Sequence, residues 1–334
     1  MKDNTAFVKI DKADGIATIW LDVANEKMNI ISPALIDVFN EVLNEIETDN
    51  SIDAVVLISG KRDFVAGADI KAFKANSREE FLPIVQKGHA IMNRIESSRK
   101  PMVAAISGTC YGLGTEMSLA CRARICTDEA HTKIALPEVK LGLLPGAGGT
   151  QRLPRLIGLS KALDILLTGK NVFSKQALQM GLVDEVVHIN KLHGAAIDLA
   201  KRIARGEFKR ILHKSLMNKF LDETFIGRSI VFKQATKTVQ LQTQGNYPAP
   251  IEILRVVKHG LGNKLEEGLR FEGEKFVDLM MGDVSKALIQ LFFSMSDNKK
   301  NPYGAPAIPV KKIGHYRGRI YGRRYCRSYH GCRY

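Results

Sequence analysis

Several things are scarce in this chain, and each scarcity excludes something. There are five cysteines in 334 residues and no Cys-x-x-Cys pair. An odd count behind a start without a leader argues against a disulfide framework. No His or Cys stands at metal-ligand spacing, so no metal is expected. No G-x-S-x-G element is present, which removes the nucleophile-elbow hydrolases. No apolar run approaches the roughly 18 residues of a membrane span. The opening MKDNTAFVKIDKADG lacks the apolar stretch of a signal peptide, so the expected location is the cytoplasm.

Charge of one sign is missing in one place only. From Val310 to Tyr334 there are eight Lys or Arg and no Asp or Glu. Of the net +14, only +6 belongs to residues 1–309. The excess is therefore a property of the tail, which also holds five of the eight tyrosines. The remainder, 45% hydrophobic overall and 25% charged, is ordinary for a globular protein. A nucleic-acid partner is not expected, although an Arg/Tyr/Gly tail selected to bind RNA is the rival account of that segment.

Short apolar runs alternate with amphipathic stretches. AFVKI and IATIWLD read as strands around the turn signal Asp14-Gly15. Residues 33–48 have helical periodicity, with Ser32 as N-cap and Pro33 as first helical residue. DAVVLIS (53–59) and Met102–Ile106 read as buried strands, with a helix between them around Arg78–Ser98. Thr115–Arg122 reads as a helix, followed by strands at Ala123–Cys126 and Thr132–Ala135. The alternation predicts an α/β protein. From about Ser160 onward the reading is mainly helical, and no repeat of fixed period is present.

Three Gly-rich turns stand out. VAGAD (65–69) and GTCYGLGTE (108–116) each follow a buried strand. Two such turns together would offer two N–H groups to one oxygen, although from the residues alone tight turns that only need positive φ are the better reading. LPGAGGTQR (144–152) lacks G-x-G-x-x-G spacing, and a structural turn into a helix fits it better than a phosphate site. Glu116 and Glu138 lie in apolar surroundings, where burial would raise a carboxyl toward the range useful for proton transfer. The alternatives are a helix N-terminal charge for Glu116 and a loop salt bridge for Glu138.

Taken in order and spacing, FVAGADIKAF (64–73), GTCYGLGTEMSLACRARIC (108–126), LPEVKLGLLPGAGGTQRLPRLIG (136–158) and LTGKNVFSKQALQMGLVDEVV (167–187) resemble the crotonase, or enoyl-CoA hydratase/isomerase, family. Residues 247–303 resemble the linking region of the α-chain of bacterial fatty-acid β-oxidation complexes, which joins a hydratase domain to an NAD-dependent 3-hydroxyacyl-CoA dehydrogenase domain.

The resemblance implies a spiral of ββα units over 1–190 as the hydratase core. A helical region over 191–309 and a basic, disordered tail over 310–334 would follow. The tail sits where the dehydrogenase half would open. Read one base later with a suitable choice of codons, it gives an apolar strand and a G-x-G-x-x-G fingerprint. A frameshift remnant is thus the expectation, and NAD binding is not expected.

The resemblance also implies roles. Glu116 would handle the water, and Glu138 the proton at Cα of the substrate. Ala68 and Leu113 would supply the oxyanion N–H groups. Leu113 departs from the common Gly-Gly-Gly run. Ala66, Gly67, Asp69, Lys71, Gly112 and Gly114 would line the loops that hold coenzyme A, with Lys71 either facing a phosphate or simply solvated. No cofactor is required beyond the coenzyme A of the thioester substrate. Hydration of trans-2-enoyl-CoA is the expected activity, with Δ3-Δ2 isomerisation second. A thiolase β-chain and a homo-oligomer are the expected partners. The alternative is a non-catalytic or partner-dependent chain.

Overall fold

The computed structural model describes residues 7–71, 77–210, 220–222 and 224–297. The basic tail, residues 298–309 before it, Ala6 at the start of the first expected strand, and the end of the FVAGADIKAF motif lie outside these residues.

The chain opens with a hairpin, β1 (Val8–Ala13) and β2 (Ile16–Leu21), in antiparallel register. Its two-residue turn, Asp14-Gly15, has both φ values positive, at 50° and 78°. That is the turn geometry matching the twist of paired strands, and Asp-Gly tolerates it. From β2 onward the chain repeats one manoeuvre. A long strand enters a main sheet, a short strand turns out of it, and a helix returns.

The first return is β2, β3 (Ile30–Ile31) and α1 (Pro33–Thr48). The second is β4 (Ala54–Ser59), β5 (Gly67–Ala68) and α2 (Arg78–Ser97). The third is β6 (Met102–Ile106), β7 (Thr109–Tyr111) and α3 (Leu113–Ala120). The fourth, β8 (Ala123–Thr127) and β9 (Lys133–Ala135), leads through a 3-10 helix at Pro137–Leu141 into α4 (Gly149–Ile157) and α5 (Leu159–Thr168). The long strands form one sheet with order β1-β2-β4-β6-β8 and a sixth strand, β11 (Glu185–Val187), at its edge. Within this sheet every pairing after the hairpin is parallel. β7 and β9 form a smaller sheet with β10 (Val172–Phe173), and β3 pairs with β5.

The apolar runs of β4, β6 and β8 are buried throughout, as strands covered on both faces must be. One face packs Val55, Leu57, Ala104 and Ile106 into the main core with α1 to α5. The other packs Ala54, Val56, Val103 and Ile125 against Leu192, Ala196 and Leu199 of α7 (Leu192–Ala204), which follows α6 (Ser174–Met180). Further along stand α8 (Phe225–Thr243), α9 (Pro248–Gly262) and α10 (Leu265–Met281). A last helix, α11, spans Asp283–Asp297.

Residues up to Gln290 form one compact unit, and packing continues across residue 190. The described part of the second unit is the end of α11. β10 and β11 depart from the mainly helical reading after Ser160. They are two and three residues long and gain strand geometry only by pairing with β9 and β8. Among the described residues no helix is long and apolar enough to cross a membrane.

Close packing sets one glycine strictly. A Cβ at Gly114 would lie 2.5 Å from Val65 Cβ and 2.9 Å from the Val65 carbonyl oxygen. Gly114→Ala is therefore expected to cost about 1–3 kcal/mol by overpacking, read as a lower urea midpoint. An unchanged midpoint would mean that α3 does not press on Val65 as described.

Candidate active site

The two Gly turns expected to meet do meet. Val65 and Cys110 form a parallel bridge, and the Tyr111 N–H donates to the Val65 carbonyl at 2.9 Å. A Cβ on Gly112 would stand 3.8 Å from Gly67 Cα. Gly67 and Gly112 take φ of +128° and +53°, so both turns use backbone that side chains disfavour. Gly112 precedes the first turn of α3. Leu113, Gly114 and Thr115 therefore open the helix with N–H groups that have no acceptor within it.

Ala68 is exposed at the end of β5, and Leu113 is partly buried against the core. Ala66, Gly67 and Asp69 are half-buried around Ala68, and Lys71 is exposed. Asp69 Oδ1 accepts the Lys71 N–H at 3.1 Å. Gly112 is buried beside Glu138, whereas Gly114 faces inward onto Val65, so its reason is packing.

Asn29 fixes the first turn from beneath. It is fully buried, and its side-chain amide donates to the carbonyls of Leu21 and Phe64, each at 3.0 Å, and to Ser59 Oγ at 2.8 Å. Its Oδ1 accepts the Val23 N–H, and its own carbonyl accepts the Ala66 N–H.

Glu116 sits in the first turn of α3, only 3% exposed. Its Oε1 accepts the N–H of Ala147 at 2.7 Å and of Gly149 at 2.8 Å. The third Gly turn thus becomes the N-terminus of α4 and closes on carboxylates, the structural role expected for it. Glu138 lies in the 3-10 helix. A Cβ on Gly112 would come within 3.0 Å of Glu138 Oε1, so the carboxyl lies against the second Gly turn. Glu138 Oε2 is buried and has no hydrogen-bond partner among the described residues.

Burial raises both carboxyls above the usual range, Glu138 to about 8. For Glu116 the negative charges of Glu138 and then Glu272 add to the effect, while the two amide N–H groups oppose it. Those amides give Glu116 two charge-assisted acceptor contacts, although its carboxyl is still held well above the usual range. The partnerless Oε2 suits Glu138 to carry the proton. Among the described residues Glu138 has no salt bridge, whereas Glu116 does stand in the first turn of α3.

A profile of the enoyl-CoA hydratase/isomerase family matches residues 11–245. The chain belongs to that family. It is 45% identical over 300 residues to the fatty acid oxidation complex subunit alpha of Shewanella baltica, covering 89% of this chain and 42% of that one. The corresponding subunit of Shewanella frigidimarina is 45% identical over 304 residues, with the same 42% of its length matched. The chain therefore spans less than half the length of these curated relatives. Among solved structures, an enoyl-CoA hydratase of Geobacillus kaustophilus superposes with a TM-score of 0.56 at 27% identity, covering 86% of this chain and 94% of that one. One from Bacillus anthracis gives 0.55 at 27%, covering 86% and 96%.

Sequence reasoning missed three residues that shape the site: Asn29, Tyr247 and Glu272. The Tyr247 hydroxyl accepts the Gly142 N–H at 3.1 Å and donates to the Val139 carbonyl, bracing the 3-10 helix of Glu138. Glu272 is fully buried on α10. Its signal was legible, because it occupies the apolar stripe that carries Leu269 and Phe276. An acid in such a stripe needs partners that sequence alone does not name.

The raised Glu138 carboxyl makes a stability prediction. Its ordinary value is near 4.5 and its folded value about 8. Between those values the unfolded chain ionises and the folded chain does not, so stability falls as pH rises through that window. The slope is at most about 1.4 kcal/mol per pH unit for one group. Glu138→Gln should become progressively more stable than the parent from pH 5 to 8 in urea unfolding. A pH-independent difference would contradict the buried neutral carboxyl.

Proposed function

We propose that the chain hydrates trans-2-enoyl-CoA thioesters in fatty-acid β-oxidation. The observation that carries this is the pairing of two buried carboxyls, one held by amides and one without a partner, beside two converging Gly turns. Adding water across a conjugated double bond needs one group to take a proton and another to give one. The Glu116 carboxylate orients the water and takes its proton as the oxygen attacks Cβ. Glu138 delivers its proton to Cα. Charge building on the thioester oxygen is met by the N–H groups of Ala68 and Leu113. Losing such a donor typically costs on the order of 10²–10³ in rate.

A donor that acts through its backbone tolerates a leucine side chain, so the Leu113 departure leaves the proposal standing. Coenzyme A itself would lie over the turns bordered by Ala66, Gly67, Asp69, Lys71 and Gly112. Proton exchange by the same pair would also move a double bond between positions 3 and 2. The named relatives support the β-oxidation setting. A thiolase β-chain as partner belongs to this proposal.

A second reading, a chain that depends on a partner, draws on one observation. Helix α8 exposes Phe225, at 87%, together with Ile226, Ile230 and Leu241. Light scattering of the purified chain tests it: a soluble, active monomer would remove the reading.

Hydration is followed as loss of the conjugated thioester absorbance. Glu116→Gln and Glu138→Gln should each lower the rate by roughly 10²–10⁴ while remaining folded. Near-parent turnover by either would refute its assignment. Hydration should also fall as pH rises past about 8, where Glu138 loses its proton. A rate still climbing above pH 9 would place the acid elsewhere.

A further inference from the structure

Helix α10 sends one carboxylate into the floor of the site. Glu272 Oε1 accepts the Gly148 N–H at 2.6 Å. Its Oε2 accepts the Thr150 N–H at 3.1 Å and the Thr150 hydroxyl. Glu116 takes the two amides between and beside these, Ala147 and Gly149. Four successive N–H groups therefore alternate between two carboxylates. Only a glycine at 148 permits the alternation. Its φ is +103°, and a Cβ there would stand 1.8 Å from Arg152 Nη1. Glu272 is itself pinned by His89 on α2, whose Nε2 lies 3.0 Å from Oε1. Gly273 lets the two helices close, since a Cβ there would sit 3.3 Å from His89 Cε1.

We propose that Glu272 is a positioning residue for Glu116, holding the Ala147–Thr150 segment so that two amides converge on the Glu116 carboxylate. This rests on the hydratase reading above and deepens it. Without Glu272, the N–H groups of Gly148 and Thr150 and the Thr150 hydroxyl lose a buried acceptor. The segment is then free to relax, and Glu116 loses its fixed direction toward the water.

Glu272 also acts through charge. It stands in the field of both catalytic carboxyls and raises their proton affinity, after burial in each case. The other groups around it are His89 and Glu96 on α2 and Arg152 and Arg155 on α4. Arg152 is bound to Glu96 at 3.0 Å, and Arg155 feels Glu96 and Glu272. On α9, His259 turns instead to Glu267 and the Phe271 ring. Removing the Glu272 charge leaves these cations in place, so the catalytic pair should release its proton at lower pH.

The test compares Glu272→Gln with Glu272→Asp in the full chain. Glu272→Gln should lower kcat for hydration about 10- to 100-fold with little change in KM, as a displaced catalytic group does. The pH at which the rate falls should move down by about one unit. Glu272→Asp keeps the charge on a shorter arm, so it should lower kcat while leaving that pH where it is. It also serves if Glu272→Gln does not fold.

The same titration is read without turnover from the infrared band of the protonated carboxyls, whose midpoint should fall in Glu272→Gln only. A parent chain that never hydrates the substrate would sink the reaction assignment, and the infrared midpoints would still judge the role of Glu272. Parent-like kcat and an unmoved midpoint in both variants would overturn the inference. So would identical pH limbs in Gln and Asp variants that are equally slow, because loss of packing alone would then suffice.

Discussion

Four consecutive backbone N–H groups, from Ala147 to Thr150, hold two buried carboxylates beside each other, and the site is organised around that contact. Removing a carboxylate from water is costly unless charge-assisted hydrogen bonds replace the lost hydration. The N-terminus of α4 supplies them, as helix N-termini do for anions generally. The anions here are the protein's own. Once Glu116 is fixed from this side, Glu138 approaches from the 3-10 helix against Gly112; after burial, its charge raises the proton affinity of Glu116, and that of Glu272 raises both. The proposed division into a base and an acid rests on that asymmetry of partners.

The frame around the contact is a spiral in which each long strand delivers one turn to the same region. β4 leads to the Gly67 turn, β6 to the Gly112 turn, and β8 to the 3-10 helix of Glu138. The parallel sheet keeps these exits on one side, and the short strands bind them to one another. Asn29 ties the first return to the second with hydrogen bonds that no apolar residue could replace. The helices after residue 247 reach the same region from outside. Tyr247 braces the 3-10 helix, and Glu272 braces the start of α4.

Local readings held where short-range chemistry decides. Ser32 caps α1 by accepting the Leu35 N–H, and Asp14-Gly15 makes the hairpin turn. The buried strands stand where unbroken apolar runs placed them, because a strand covered on both faces needs no alternation. The reading failed at β10 and β11, which carry too few residues to show a period. It gave Gly114 to the ligand loop, although the pressure of Val65 on α3 is what demands a glycine there.

The sequence by itself determined the long buried strands and the first helices, the family, and the candidate carboxylates Glu116 and Glu138, because these rest on local pattern and motif spacing. Tertiary structure alone decided which amides each carboxylate meets and which residues stand beneath them. Glu116 and Gly149 are 33 positions apart, Glu272 and Gly148 are 124, and Tyr247 and Gly142 are 105. No local rule links such positions. The spiral brings them together, and burial then makes every hydrogen bond among them obligatory.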